Sequence, residues 1–262
     1  MDTDTKDDTL ARKRLRRKEF LAEKLTLAAV LIVVSAIAVA GSVFAVFYEI
    51  YGDNMFKLIM PAQSKAERYA EDASEKGGIV FFGDSLTEFC DLDRFYPDLG
   101  AVNRGIAGDT TDGMLERIDS NVVALSPSVV VFLGGTNDLH HGSSPERIIE
   151  NISRILSILT EKTSATVIVQ SLYPVNPDTK PQYLNFVADR RNEDIAEVNA
   201  ALPGLCEKYG CIFANVHPLL ENASGLLRED FTADGLHVNA AAYETISDFL
   251  TPVIDEASAA VS

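Results

Sequence analysis

Cysteine is scarce in this chain, and so is positive charge beyond the first fifty residues. Only Cys90, Cys206 and Cys211 occur among 262 residues. An odd, small number excludes a disulfide-built scaffold, and no CxxC pair or Cys/His cluster has zinc-ligand spacing. A Cys206–Cys211 bridge stays open for a protein outside the cytoplasm, but the residue type favours buried small hydrophobes. Residues 49–262 hold 15 Lys/Arg against 33 Asp/Glu, a formal charge of −18. Nucleic-acid affinity depends on Lys/Arg neutralising phosphates, so no nucleic-acid partner is expected. Internal repeats are absent, and the only biased tract is the charged N-terminus. With 47% hydrophobic and 24% charged residues, the composition is that of a globular protein and excludes general disorder.

What the chain does have is one long apolar run. Leu25 to Tyr48 carries no charge over 24 residues, and about 20 apolar residues span a bilayer core as a helix. Lys13, Arg14, Arg16, Arg17, Lys18 and Lys24 stand just before it. Lys/Arg-rich flanks stay cytoplasmic, which sends the residues after 50 to the other side. A cleaved signal peptide is the rival, with Ala38-Val39-Ala40 resembling a cleavage site. The apolar run continues through Phe47 and Tyr48, which favours an uncleaved anchor. A buried core helix fits less well, because the segment is apolar on every face. The expected organisation is a basic cytoplasmic tail at 1–24, a transmembrane helix at 25–48, a connector and helix at 49–76, and a globular domain at 77–258.

Within that domain short apolar runs alternate with helical patterns. Ile79–Phe82, Ser128–Leu133, Ala165–Gln170 and Cys211–Val216 read as strands, the first a wholly apolar run after a glycine pair that suits burial on both faces. Helical periodicity covers about 61–76, 110–125, 145–162, 182–202 and 238–254. The alternation predicts βαβ units around a parallel sheet with helices on both faces. In such sheets the carboxyl ends of the strands border the binding crevice. Gly83-Asp84-Ser85 and Gly134–Asp138 each follow a strand, so topology alone puts both on that edge.

Four segments carry residue types suited to acyl transfer. Ser85 is the candidate nucleophile; a serine hydroxyl needs a neighbouring base to take its proton. Taken singly it reads equally as a helix N-cap serine, and the segment lacks the second glycine of the G-x-S-x-G elbow, with Thr87 in its place. His237 is the candidate base, singled out from His140, His141 and His217 by Asp234 three residues earlier. In a turn that spacing brings a carboxylate to the imidazole Nδ1–H; Asp234 also suits a plain turn. Gly105, in Asn103-Arg104-Gly105, and Asn137, in Gly134-Gly135-Thr136-Asn137, offer a backbone N–H and a side-chain amide as oxyanion donors. An ordinary turn and a capped loop are their bland alternatives. Asp138-Leu139-His140-His141 contains metal-ligand types, but the further histidines and second Asp/Asn cluster of a metallophosphoesterase are missing, and a place at the cleft rim suits the two histidines better. The Pro-rich stretch 172–182 reads as a loop that either borders the site or lies on the surface.

Together FFGDSLTE (81–88), NRGIAGDTT (103–111), VVVFLGGTNDL (129–139) and DGLHVN (234–239) resemble the four blocks of the SGNH/GDSL hydrolases. The resemblance covers about 75–255, and its wording is most similar to the branch of the platelet-activating-factor acetylhydrolase catalytic subunits. It implies a flavodoxin-like, three-layer α/β/α sandwich with a shallow site. It further implies that Ser85 attacks an ester carbonyl, that His237 oriented by Asp234 serves as base and then acid, and that the N–H groups of Ser85 and Gly105 with the Asn137 amide hold the oxyanion. No cofactor or metal is implied, the substrate class is a small acyl ester of a lipid or an acetylated glycan, and a homodimer is left open. The function expected is a membrane-anchored, extracytoplasmic serine esterase acting on short acyl groups. The alternatives are a carbohydrate O-acyltransferase using the same triad and a non-catalytic anchored binding module.

Overall fold

The structure, a computed structural model, describes residues 62–72, 76–178, 181–187 and 189–260. The expected tail and span at 1–48 lie outside them. No helix among the described residues is long and apolar enough to cross a membrane.

The elements alternate as the periodicity predicts. In chain order they are α1 (Ala62–Glu71), β1 (Ile79–Gly83), α2 (Ser85–Glu88), α3 (Leu92–Phe95), β2 (Val102–Gly105), α4 (Thr111–Asn121), β3 (Val129–Leu133), α5 (Thr136–His140), α6 (Pro145–Lys162), β4 (Thr166–Gln170), α7 (Leu184–Val187), α8 (Asn192–Tyr209), β5 (Ile212–Ala214), α9 (His217–Leu220) and α10 (Ala240–Ala259). The five strands form one sheet in the order β2-β1-β3-β4-β5, and every pairing is parallel. This is the flavodoxin-like order, in which the chain reverses direction of travel between β1 and β3 and a crevice opens at the carboxyl ends.

Side chains alternate between two cores, as the period of two along a strand requires. Val80 and Phe82 of β1, Val130 and Phe132 of β3, and Val167 and Val169 of β4 face one layer, packed by Met114 and Ile118 of α4, Ile152 and Ile155 of α6, and Val198 and Leu202 of α8. Ile79, Phe81, Val129, Val131 and Ile168 face the other, where Tyr243, Ile246, Leu250 and Ile254 of α10 cover them. Each strand of the centre is therefore apolar on both faces, which is why it reads as an unbroken apolar run.

Two elements differ from the sequence reading. Residues 102–105 form a strand that the apolar runs did not mark: β2 lies at the sheet edge, and its register pairs Gly105 with Gly83. The helix expected at 182–202 instead runs from Asn192 to Tyr209 and passes through Pro203. Its C-cap is the left-handed Gly210. Residues ahead of it form only a 3-10 turn at Pro181–Tyr183 and the single turn α7. The cysteines follow the favoured reading: Cys206 and Cys211 are free thiols, Cys206 buried in the core, and burial pushes the Cys206 thiol up to about 12.

Candidate active site

Ser85 opens α2 directly after β1. Asp84 caps that helix, its Oδ1 accepting the Leu86 N–H at 2.9 Å. All four residues of α2 are buried. Two outside contacts hold it: the Tyr243 hydroxyl of α10 donates to Leu86 O at 2.9 Å, and Asn103 Nδ2 donates to Thr87 O at 2.8 Å. The short helix is thus fixed by α10 on one side and by β2 on the other, and Ser85 is only 4% exposed.

His237 arrives from the loop before α10. Asp234 folds that loop: its Oδ1 accepts the N–H groups of Leu236 and His237 at 2.9 and 2.8 Å. Its Oδ2 is left for the imidazole, 2.7 Å from His237 Nδ1. Thr232 steadies the turn by donating to His237 O at 2.8 Å. A proton held on Nδ1 by the carboxylate leaves Nε2 as acceptor, and Nε2 lies 3.1 Å from Ser85 Oγ. Hydroxyl, imidazole and carboxylate are thereby joined in one chain across 152 residues of sequence. The rings of Phe89 and Phe186 stand 5.4 and 6.1 Å from the imidazole. The loop that follows β4 borders the site: Asn176 N–H donates to Gly235 O at 2.8 Å.

The carboxylates differ in environment. Burial works to raise Asp234, but the hydrogen bond and charge of His237, with the Leu236 and His237 N–H groups, hold it below the usual carboxylate range. Asp84 is fully buried, and among the described residues its Oδ2 has no partner. Burial raises it to about 7, against the Leu86 N–H and the charges of His237 and Arg190.

The candidate oxyanion donors differ in how far they are already engaged. Asn137, second residue of α5, directs Nδ2 at Asp109 O, 2.9 Å away, and one N–H of that amide remains. Gly105 is different, because its N–H donates to Asn103 Oδ1 at 2.9 Å. Glycine is needed there for space: a Cβ would lie 2.2 Å from Glu88 N and 2.7 Å from Glu88 Cα. Along the same loop Ile106 N–H donates to Gly83 O at 3.0 Å and Asp109 N–H to Ile106 O at 3.1 Å. Ala107 N–H donates to Glu88 Oε2 at 2.5 Å. Gly108 remains, at φ +79°, and among the described residues its N–H meets no acceptor. Ser85 N–H, the first of its helix, is likewise one of the donors that helical bonding leaves over.

Sequence reasoning missed the groups that hold this loop. Glu88 Oε1 is 2.8 Å from Lys65 Nζ, both side chains almost fully buried, which ties α1 to the Ala107 N–H. Arg117 joins Asp109 at 2.7 Å and donates to Gly83 O at 2.9 Å. Arg190 contacts Asn137. Nothing in the sequence pattern marked these residues. His140 and His141 sit at the end of α5 with their rings edge to face, 5.4 Å apart.

A parallel sheet of this order, carrying these four blocks at its carboxyl edge, defines a class. The chain belongs to the GDSL-like lipase/acylhydrolase family, which it matches over residues 81–245, and it is a carboxylic ester hydrolase. The platelet-activating factor acetylhydrolase IB subunit alpha1 of Bos taurus is 28% identical over 186 residues, covering 68% of this chain and 76% of that protein. Among solved structures, one from Streptococcus pneumonia, assigned provisionally as a platelet activating factor, superposes with a TM-score of 0.69 at 27% identity, covering 75% of this chain and 94% of that one. A GDSL-like lipase from Bacteroides thetaiotaomicron shares the fold with a TM-score of 0.65 at 23% identity, covering 75% of this chain and 98% of that one.

Proposed function

We propose that this hydrolase is a membrane-anchored serine esterase that removes short acyl groups, acetyl among them, outside the cytoplasmic membrane. The observation that carries the chemistry is the continuous chain from Ser85 Oγ through the His237 ring to Asp234 Oδ2, at 3.1 and 2.7 Å.

In the first half-reaction His237 Nε2 takes the Ser85 proton as Oγ bonds to the ester carbonyl carbon. The carbonyl oxygen becomes an oxyanion, and Asp234 stabilises the imidazolium. We read the oxyanion donors as the N–H groups of Ser85 and Gly108 and the remaining N–H of Asn137, with Gly108 replacing the engaged Gly105. The tetrahedral intermediate then collapses, the bond to the leaving alkoxide breaks, and His237 returns the proton to it. Water repeats the sequence on the acyl-enzyme: its proton goes to His237, its oxygen to the carbonyl carbon, and Ser85 leaves with the proton. Preference for short acyl groups is supported by the acetylhydrolase relatives. Anchoring and an extracytoplasmic catalytic domain are supported by the uncharged Leu25–Tyr48 run and the Lys/Arg residues before it.

The test is hydrolysis of p-nitrophenyl esters from acetate to octanoate. Ser85→Ala should lose nearly all turnover while keeping its melting temperature, and wild-type kcat/KM should fall with chain length. Undiminished hydrolysis by Ser85→Ala would remove the proposal.

A further inference from the structure

We propose that Arg190 is a positioning residue for ester hydrolysis, acting through Asn137 and not on the substrate. The inference rests on reading Asn137 as an oxyanion donor.

Arg190 lies in the segment between α7 and α8 and is 7% exposed. Its guanidinium makes three hydrogen bonds that join two parts of the site, the start of α5 and α7. Nη2 donates to Asn137 Oδ1 at 2.8 Å, Nε to Thr136 O at 3.1 Å, and Nη1 to Phe186 O at 2.6 Å. On the other side of the amide, Asn137 Nδ2 donates to Asp109 O at 2.9 Å. The carboxamide is therefore clamped between a cationic donor at its oxygen end and a carbonyl acceptor at its nitrogen end.

An asparagine amide is nearly symmetrical in shape, so its two flipped orientations differ mainly in their partners. Here a flip would set the amide nitrogen against the guanidinium and the amide oxygen against Asp109 O, losing both bonds at once. The orientation that survives leaves one N–H over for the pocket. The opposite orientation would present an oxygen to a developing oxyanion, a repulsive contact. Arg190 removes that alternative before substrate arrives, which is the preorganisation that makes such donors effective. The bond is also charge-assisted. A cation withdrawing density at Oδ1 polarises the amide, so the remaining N–H becomes a stronger donor. Both effects matter most when charge appears on the carbonyl oxygen, so they belong to kcat more than to KM.

The hydrogen bond to Phe186 O gives Arg190 a second role, because the Phe186 ring stands beside His237. A double-mutant cycle separates the two roles. Steady-state kinetics on p-nitrophenyl acetate would be measured for the full chain and for Arg190→Met, Asn137→Ala and the double variant, with melting temperatures for all four. Asn137→Ala should lower kcat by about 10²–10³-fold. Arg190→Met should lower kcat by roughly 10–100-fold with KM within about twofold, and in the Asn137→Ala background its further effect should shrink to about threefold or less. Arg190→Lys keeps the charge but not the three-way geometry; it should recover part of kcat, and it carries the same cycle should Arg190→Met fail to fold. Losses that multiply in the double variant would overturn the inference while leaving Asn137 as a donor. Wild-type kcat in Asn137→Ala would overturn the donor reading and the inference with it.

Discussion

Asp84 and Asp234 flank the same chemistry yet titrate in opposite directions, and the pH dependence of stability follows from that. Asp234 is held below its unfolded value, so its contribution is present at neutral pH and is lost as pH falls through the folded value. Asp84, raised to about 7 by burial, keeps its proton more tightly folded than unfolded. Its contribution is present below the unfolded value near 4 and is lost as pH rises through about 7. Asparagine preserves the cap on Leu86 and removes the charge. Asp84→Asn is therefore expected to gain melting temperature over wild type at pH 8 and to match it more nearly at pH 5; an equal offset at both would refute the assignment. At this scale the sequence was informative wherever residue type names a role, and Ser85, Asp234 and His237 do meet. It pointed to Gly105 alone, since only the backbone shows that the Gly105 N–H is engaged by Asn103 Oδ1. Arg190 was illegible for a similar reason: a cation in a loop reads as surface until its burial is known.

Element packing explains what Gly105 does. It lies where β2 crosses the backbone of α2, and the missing Cβ is what allows contact with Glu88 N and Cα. Gly105→Ala must push β2 off the nucleophile helix or move the helix itself. A loss of about 1–3 kcal/mol is expected, read from the urea midpoint, with kcat falling alongside because Ser85 rides on α2. Full stability would refute the packing argument. The central strands were legible because burial on both faces leaves an unbroken apolar run. β2 was not, since an edge strand of Val-Asn-Arg-Gly carries one apolar side chain. The shift of α8 has another origin. Pro203 and Gly204 look like a stop, but Ile195, Val198, Leu202 and Cys206 bury one face of the helix, and that packing carries it onward to Gly210.

For the whole chain, the expected anchor and the acidic catalytic domain make separate demands on location. Full-length protein expressed with residues 1–48 should stay with membranes through an alkaline carbonate wash, whereas a form lacking them should move to the supernatant with its esterase activity intact. Protease added outside intact cells should cut the catalytic domain. Recovery of full-length protein in the soluble fraction would refute anchoring. The parallel sheet was legible at this scale because alternating strands and helices restrict topology so strongly, whereas its flavodoxin-like order was implied only by the family resemblance.

The hydrogen bond from Ser85 to His237 closes a loop of 152 residues. A polypeptide that ends short of residue 237 contains every described strand of the sheet and still lacks the proposed base. Synthesis therefore delivers an inert hydrolase until nearly its last helix has emerged. In refolding, recovered turnover should mark the arrival of that C-terminal segment and lag behind the return of ellipticity.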